Sequence, residues 1–348
     1  MKPVWKWILG IFAVLIIAIV SVSWYFSSQW KPLVEDKLKT AVFNATDGLY
    51  VLKYEDLALN LTLGNVSLSN VELIPDTTVY AKMELAKKAP DNYYHIKLKS
   101  LKIKRFSIMD VLSHKKLNIK AINFESPYVH LSNKYHAYND TLANKSNKTL
   151  YDGVKDILNA INVRDISVAN IEFKYSKLSN GKSSDFNVKN INIKVHDVLI
   201  DETSITDTTR FFYTKMVDID VPGFEYALSD GFYMVKFDAL KINTKDQNIM
   251  LTNVDYKPKM NKSAYFKQRG KNITMAVMHF DTLRMEQLNF KKLIEDKQVL
   301  MKAVQIKNGF VKLANDERYP KTPINQVGSS PHQKLMKLKQ LLYIDSVL

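Results

Sequence analysis

The sequence predicts a mainly β protein, in which an N-terminal transmembrane helix precedes an elongated, curved antiparallel sheet with a few short helices. Three observations predict this fold class. An uncharged run opens the chain, apolar and polar residues alternate with a period of two, and part of the sequence recurs about 182 positions later. With 46% apolar and 24% charged residues, the composition is that of a folded protein.

The first element is a transmembrane anchor within residues 1–30. Residues 7–30 carry no charge, and this run is long enough for a helix to cross the hydrocarbon core of a bilayer. Lys2 and Lys6 precede it, so the positive-inside rule places this end in the cytoplasm and the remaining residues outside it. Aromatic residues, which favour the headgroup region, flank the run at Trp5, Trp7, Trp24, Tyr25 and Trp30.

A cleavable signal peptide is the alternative interpretation of the same segment. The apolar stretch from Ile8 to Val20 has a suitable length, and Ser21 and Ser23 are small enough for a cleavage site. We favour the anchor, because the run continues into "WYF", which suits a membrane boundary better than a mature N-terminus. Both interpretations export the rest of the chain.

Residues 31–48 predict an amphipathic helix. Pro32 stands near its start, and Gly48 suits the left-handed position that often ends a helix. Residues 149–162 and 331–342 are weaker helical candidates. The apolar stripe of the first helix consists of Val34, Leu38, Ala41, Val42 and Ala45.

The segments that follow alternate as strands with one apolar and one polar face. Leu117 and Ile119, for example, alternate with Asn118 and Lys120. We expect the apolar positions of these strands to form one continuous concave surface. They include Leu57, Leu59, Leu61, Leu63, Ile96, Leu98, Leu117, Ile119, Ile191, Ile193, Val217, Ile219 and Ile242.

An internal repeat extends the pattern. "KAINFESPYVHLSN" at 120–133 recurs as "KAVQIKNGFVKLAN" at 302–315, and the similarity widens to 101–133 over 283–315. Upstream, 54–75 lies over 237–258 with an offset of 183. Two blocks in the same order with nearly equal offsets indicate a repeated architectural unit. We therefore expect the two copies to match strand for strand.

These signals divide the chain into six segments. Because the second copy stops early in its equivalent of the strand at "RDISV", we interpret the end of the sequence as a cut inside a repeat. The segments are the anchor 1–30, the helix 31–48, a first β unit 49–133, a loop, short helix and further strands 134–232, a second β unit 233–315, and a loop with the start of a strand 316–348.

Charge and motifs restrict the chemistry. The net charge of +15 favours an anionic partner such as phospholipid, although a lysine-rich background would give the same excess. The chain has no cysteine, none of its seven histidines stands in a metal-binding motif, and there is no nucleophile elbow, Walker loop or nucleic-acid-binding module. We therefore predict no catalytic residues, no metal, no cofactor and no nucleic acid.

The order of elements resembles the N-terminal part of AsmA-like envelope proteins, the group that includes TamB. The resemblance rests on the anchor, on "LVEDKLKTAVFNATDGLYVLKYEDLALNL", on "LGNVSLSNVELIPD" and on "LNIKAINFESPYVHLSN". It implies a single-pass inner-membrane protein whose bulk is periplasmic, with a U-shaped sheet (β-groove or β-taco) enclosing an apolar trough. It also implies a role in phospholipid transfer or homeostasis or in outer-membrane assembly, with membrane phospholipid and an envelope protein as partners.

Three functional hypotheses remain open at this point. In the first, the apolar faces form a trough that holds acyl chains. In the second, the same faces pack against one another as sandwiches, and the protein is a membrane-tethered scaffold that binds a protein partner and carries no lipid. The third is an exported hydrolase, which no motif in the sequence supports.

Overall fold

The structure is a computed structural model that describes residues 38–40, 42–60, 62–141, 149–179, 182–228, 230–321 and 341–347. It is mainly β, with 58% strand and 15% helix, which confirms the predicted class. The predicted anchor lies outside the described residues, and within them no helix is both long and apolar enough to span a bilayer. The chain divides into two compact units, Met1–Val217 and Asp218–Leu348.

The first unit is built on one sheet. Its strands follow in the order β1-β3-β4-β5-β7-β8, with β2 also pairing with β3, and with β6 between β4 and β7. The strands are β1 Tyr50–Lys53, β2 Asp56–Asn60, β3 Asn65–Pro75, β4 Asn92–Phe106, β5 Lys116–Glu125, β6 Tyr128–Lys134, β7 Ala160–Ser179 and β8 Lys182–Ile200.

The prediction of a purely antiparallel sheet is wrong in one respect. Both β5 and β6 pair with β7 in parallel, whereas the other pairs of this unit are antiparallel. Two parallel strands need a long crossover, because the chain must return to the same end of the sheet. The segment between Lys134 and Ala160 supplies that crossover.

Short helices cap the strand ends of the first unit. The Asp76 carboxylate accepts hydrogen bonds from the backbone N–H groups of Thr78 and Val79 and starts α1, Thr77–Leu85. Ser107 caps α2, Ile108–His114, in the same way, and α3 is Tyr138–Thr141. These caps satisfy backbone donors that would otherwise lack partners at a helix start.

Three sequence-based placements need correction or completion. Residues 149–162 are not an α-helix: they contain a 3-10 turn, Tyr151–Gly153, and then the start of β7. Of the predicted helix 31–48, the structure describes residues 38–40 and 42–48. Residues 38–40 and 42–45 are helical, with Leu38 and Val42 buried but Ala45 exposed. Gly48 has the left-handed φ of 77° expected after it. The candidate helix 331–342 lies almost entirely outside the described residues.

The strands of the second unit follow in the order β9-β10-β11-β12-β13-β14. Pairing is antiparallel except between β13 and β14, which are parallel. An aromatic cluster that includes Tyr233, Tyr265 and Phe266 forms its core. The elements are β9 Met216–Ala227, β10 Tyr233–Asn243, β11 Asn248–Pro258, α4 Lys262–Arg269, β12 Met275–Glu286, α5 Phe290–Glu295, β13 Val299–Ala314 and β14 Leu342–Val347.

The strand registers of the two copies correspond. Leu57 pairs with Leu68 in the β2–β3 hairpin, and Leu240 pairs with Leu251, each 183 positions later, in the β10–β11 hairpin. One continuous strand of the second copy replaces two short ones of the first: β10 covers the equivalents of β1 and β2, and β13 covers those of β5 and β6. The helices correspond as well, since α2 and α5 both begin one residue after a capping side chain, Ser107 or Asn289.

The two copies also share a buried tyrosine and several left-handed backbone positions, which lie 182 or 183 residues apart. The Tyr50 hydroxyl accepts a hydrogen bond from the Tyr94 N–H at 2.9 Å, and the Tyr233 hydroxyl accepts one from the Ala276 N–H at 3.0 Å. Burial raises the pKa of each hydroxyl to about 12. Left-handed φ values recur in matching pairs: Asn70 with Asn253, Arg105 with Gln287, Lys115 with Lys297, and Ser126 with Asn308.

We predict that Tyr50→Phe and Tyr233→Phe each lower the free energy of unfolding by about 1–3 kcal/mol, because each leaves a buried or partly buried N–H without its acceptor. Chemical denaturation measures the change. Tyr135→Phe is the control, since that hydroxyl is exposed, and it should change stability by less than about 0.5 kcal/mol. Equal effects of all three substitutions would contradict the structural role of the two buried hydroxyls.

Candidate functional site

The candidate site of the first unit is the apolar face of its sheet. Cross-strand partners face the same side of a sheet, so the pairing registers show which side chains form rows. Two rows each cross six strands, and we call them the central rows. The first is Leu57, Leu68, Leu101, Phe124, Val168 and Ile193; the second is Leu59, Val66, Ile103, Ile122, Ile166 and Val195.

Burial changes along the central rows. On β3 and β4 the side chains are buried, as at Leu68 and Leu101. On β7 and β8 they are only half-buried, as at Val168 and Ile193. The sheet continues through β7 and β8, so this change does not mark the end of an apolar row. The apolar face is therefore closed by protein over one part of the sheet and accessible over another.

Left-handed residues keep the apolar side chains on this face. In β3 the buried residues are even-numbered up to Leu68 and odd-numbered from Val71 onward, and Asn70 between them has a φ of 46°. A left-handed residue inside a strand bends it and re-aims the following side chains, as in a β-bulge. Asparagine tolerates this conformation better than most residues with a side chain. Asn253 has the same conformation in β11.

The second unit carries two rows of its own, each crossing five strands. Gly309 adjoins the apolar face of this unit: a Cβ atom there would lie 2.5 Å from Cδ1 of Phe280, so only glycine admits the phenyl ring. The rows are Val221, Leu240, Leu251, Leu283 and Ile306, and Ile219, Ile242, Ile249, Met285 and Val304.

The predicted surface residues fall into four groups. Most lie in strands and are half-buried: Leu59, Ile96, Leu98, Ile191, Ile193, Val217, Ile219 and Ile242. Leu57, Leu117 and Ile119 are fully buried and covered by protein, so they are not accessible to a ligand. Leu61 lies outside the described residues. The prediction for Leu63 is wrong, because β2 ends at Asn60. Leu63 lies in the following turn with 61% of its surface exposed.

Leu63 cannot continue β2 because the next residue, Gly64, lies against the backbone of Phe106. Gly64 has a φ of 60°, and a Cβ atom there would lie 2.0 Å from the carbonyl oxygen of Phe106. The Gly64 carbonyl accepts a hydrogen bond from the Phe106 N–H at 2.9 Å. The chain must therefore reverse before Leu63 can continue the alternation of β2.

Sequence reasoning missed a set of histidine–carboxylate pairs. His95 contacts Glu72 at 2.7 Å, His196 contacts Asp165 at 2.9 Å, and His136 lies between Glu84 and Asp91. Most partners are distant in sequence and become neighbours through strand pairing, so a search for nearby carboxylates could not find them. His130 is half-buried and hydrogen-bonded to Ser176.

His279, like His136, has a carboxylate at each ring nitrogen. Its Nδ1 lies 2.8 Å from Asp255 and its Nε2 lies 3.0 Å from Asp281, so both ring nitrogens face carboxylates. Hydrogen bonds to Asp255 and then to Asp281 raise the pKa of His279 above its ordinary value. The imidazolium form is therefore favoured in the folded state, which indicates a charge-pairing role on the solvated face.

Neither metal chemistry nor a known relative identifies this site. Among the residues that the structure describes, no group of three or more histidine, aspartate or glutamate side chains is arranged to hold a metal ion. No protein-family model matches the chain, and no curated protein is similar enough in sequence to count as a relative. The AsmA-like assignment therefore stays a prediction.

We predict a pH-dependent loss of stability in His279→Gln. Because the pKa of His279 is raised in the folded state, its contribution is fully present below the pKa of the unfolded chain, about 6.5, and disappears as the pH rises through the higher folded value. Thermal unfolding between pH 5.5 and 8.5 should show the variant destabilised at the acidic end and unchanged at the basic end.

His114→Gln is the control for the histidine prediction. His114 is exposed and 3.9 Å from its nearest carboxylate, Asp110, so its loss should matter little at any pH. A pH-independent effect of His279→Gln would show that the ring acts through packing and not through its charge.

Proposed function

We propose that the protein binds phospholipid acyl chains on the apolar face of its sheet, as an inner-membrane-anchored, extracytoplasmic β-groove protein. The proposed role is phospholipid transfer or homeostasis, or assembly of the outer membrane. The observation that carries the proposal is the continuity of the central rows beyond the region where protein covers them. Half-buried apolar side chains in unbroken rows offer a contiguous apolar surface, which in soluble domains marks an interaction site.

The physical gain from such binding is large. Each methylene removed from water contributes about 0.8 kcal/mol, so an acyl tail of about 16 carbons contributes on the order of 10 kcal/mol before the cost of ordering it. At strand spacings of about 4.8 Å, a row that crosses six strands is roughly 24 Å long. Backbone groups in the sheet are already paired, so an apolar ligand leaves none of them without a partner.

A scaffold that binds a protein is the second candidate, and an exposed patch favours it. Two apolar side chains near the end of β13 lie on the same face and are exposed: Val311, and Leu313 at 66%. A protein partner could cover this patch without any lipid. The covered part of the central rows is also consistent with ordinary core packing.

We predict that Val168→Asp removes bound phospholipid from the purified full chain without unfolding it. Val168 is half-buried, so a carboxylate there can still reach water, but it places an unpaired charge against any acyl chain in the row. Mass spectrometry of extracted lipid should show a drop of about tenfold or more, which requires only about 1.4 kcal/mol. The melting temperature measures folding in parallel.

Ser167→Asp is the matched control. It adds the same charge one position away on the same strand, on the opposite, polar face next to Lys194. This variant should keep its lipid and its stability. Unfolding of Val168→Asp would show that the position belongs to a closed core, and a parent protein without bound lipid would favour the scaffold.

A further inference from the structure

The polar side of the first unit contains a cavity that the apolar-face function does not use. It has a volume of about 470 Å³ and lies over β5, β7 and β8, beside the segment that follows β8. We call it the cationic pocket, because one acidic side chain, Asp197, is outnumbered among its lining residues by five basic ones. The basic residues are Arg105, Lys120, Arg164, Arg210 and Lys215.

Strand pairing gathers three of these cations. Ile119 pairs with Val163, and the next paired residues are Ala121 and Asp165, so Lys120 and Arg164 lie side by side on adjacent strands. Arg105 occupies the corresponding gap in the register of β4 with β5. The buried side chains of Ile119 and Val163 alternate with these cations along their strands. The positive charges therefore lie on the polar face, opposite a part of the apolar face that protein covers.

Arg210 is held in place as a fixed donor. Its Nε lies 3.1 Å from the Asp207 carboxylate, and its Nη1 donates to the Asp197 carbonyl oxygen at 2.6 Å. Its side chain is only 10% exposed. A guanidinium that is already oriented loses little conformational freedom when it binds an anion.

The other cations of the pocket are poorly compensated. In the part of the chain that the structure describes, no carboxylate lies within ion-pair distance of Arg105, Lys120 or Lys215. Arg164 is 72% exposed and its Nε approaches Asp165 only to 3.8 Å. Like charges held close together repel one another, so an anion bound among these cations would reduce that repulsion.

The second copy of the repeat shows that the fold does not require these charges. Strand registers place Gln287, Lys302 and Asp345 at the positions equivalent to Arg105, Lys120 and Arg164. The three side chains sum to +3 in the first copy and to zero in the second. A lysine-rich background does not explain the difference, because it would act on both copies alike.

We propose that the cationic pocket binds a phosphate-type oxyanion, as inorganic phosphate, as a soluble phosphate ester or as the headgroup of an anionic lipid. The volume is in the range of small-molecule sites, about 300–1,000 Å³, so it accommodates more than a bare ion. Guanidinium and ammonium groups form charge-assisted hydrogen bonds to phosphate oxygens, and Arg210 and Arg164 can each offer two donors. The inference does not depend on acyl-chain binding, since it concerns the opposite face of the sheet.

The test is calorimetric titration of inorganic phosphate into the full chain in neutral detergent, at constant ionic strength set with chloride. Saturable binding is expected in the parent, and Lys120→Gln/Arg164→Gln should weaken it about tenfold or more. The control is Lys102→Gln/Lys194→Gln, which removes the same charge from exposed strand positions outside the pocket and should bind as the parent does. Melting temperatures of all variants establish that they are folded.

Competition then identifies the source of the phosphate group. Displacement by glycerol 3-phosphate assigns the pocket to soluble esters, whereas displacement only by vesicles containing phosphatidic acid assigns it to a lipid headgroup. Absence of saturable phosphate binding in the folded parent overturns the proposal. An equal loss of affinity in the control variant also overturns it, because the effect would then come from net charge alone.

Discussion

The whole structure depends on reconciling two demands on each strand: every backbone group must pair with a neighbour, and apolar side chains must stay on one face. Regular alternation meets both demands only while successive apolar residues of a strand are two positions apart. Here the spacing changes to three within individual strands, as between Leu68 and Val71. Residues in the left-handed conformation, such as Asn70, absorb the change, and the register with the neighbouring strand is maintained across it.

Because the two faces are kept chemically separate, each can carry its own interactions. One face presents rows of aliphatic and aromatic side chains. The other presents ion pairs, such as those of His95 and His279 with carboxylates, and a concentration of cations around Lys120 and Arg164. A sheet that is covered on both sides would have neither surface available. Our proposal of an open apolar face rests on the half-buried state of residues such as Ile193.

Three features could be predicted from the sequence: the β class, most strand positions and the offset between the copies. They could be predicted because period-two alternation and repetition can be seen directly in the sequence. It did not reveal the parallel pairing of β7, since strand direction depends on the path of a crossover of more than 20 residues. Helices α1 and α4 are short and begin at capping residues, Asp76 and Asn261, which could have been noticed. The cationic pocket was not predictable, because Arg105, Lys120 and Arg164 meet only through register.

The central claim is that the accessible part of the apolar face contacts lipid. Photo-crosslinking tests it most directly: a photoreactive amino acid replaces Ile193 in the full chain in living cells, and Lys194, exposed on the other face of the same strand, serves as the reference position. The account predicts phospholipid adducts from position 193 and none from position 194. Protein adducts alone at position 193, or the same products at both positions, would contradict it.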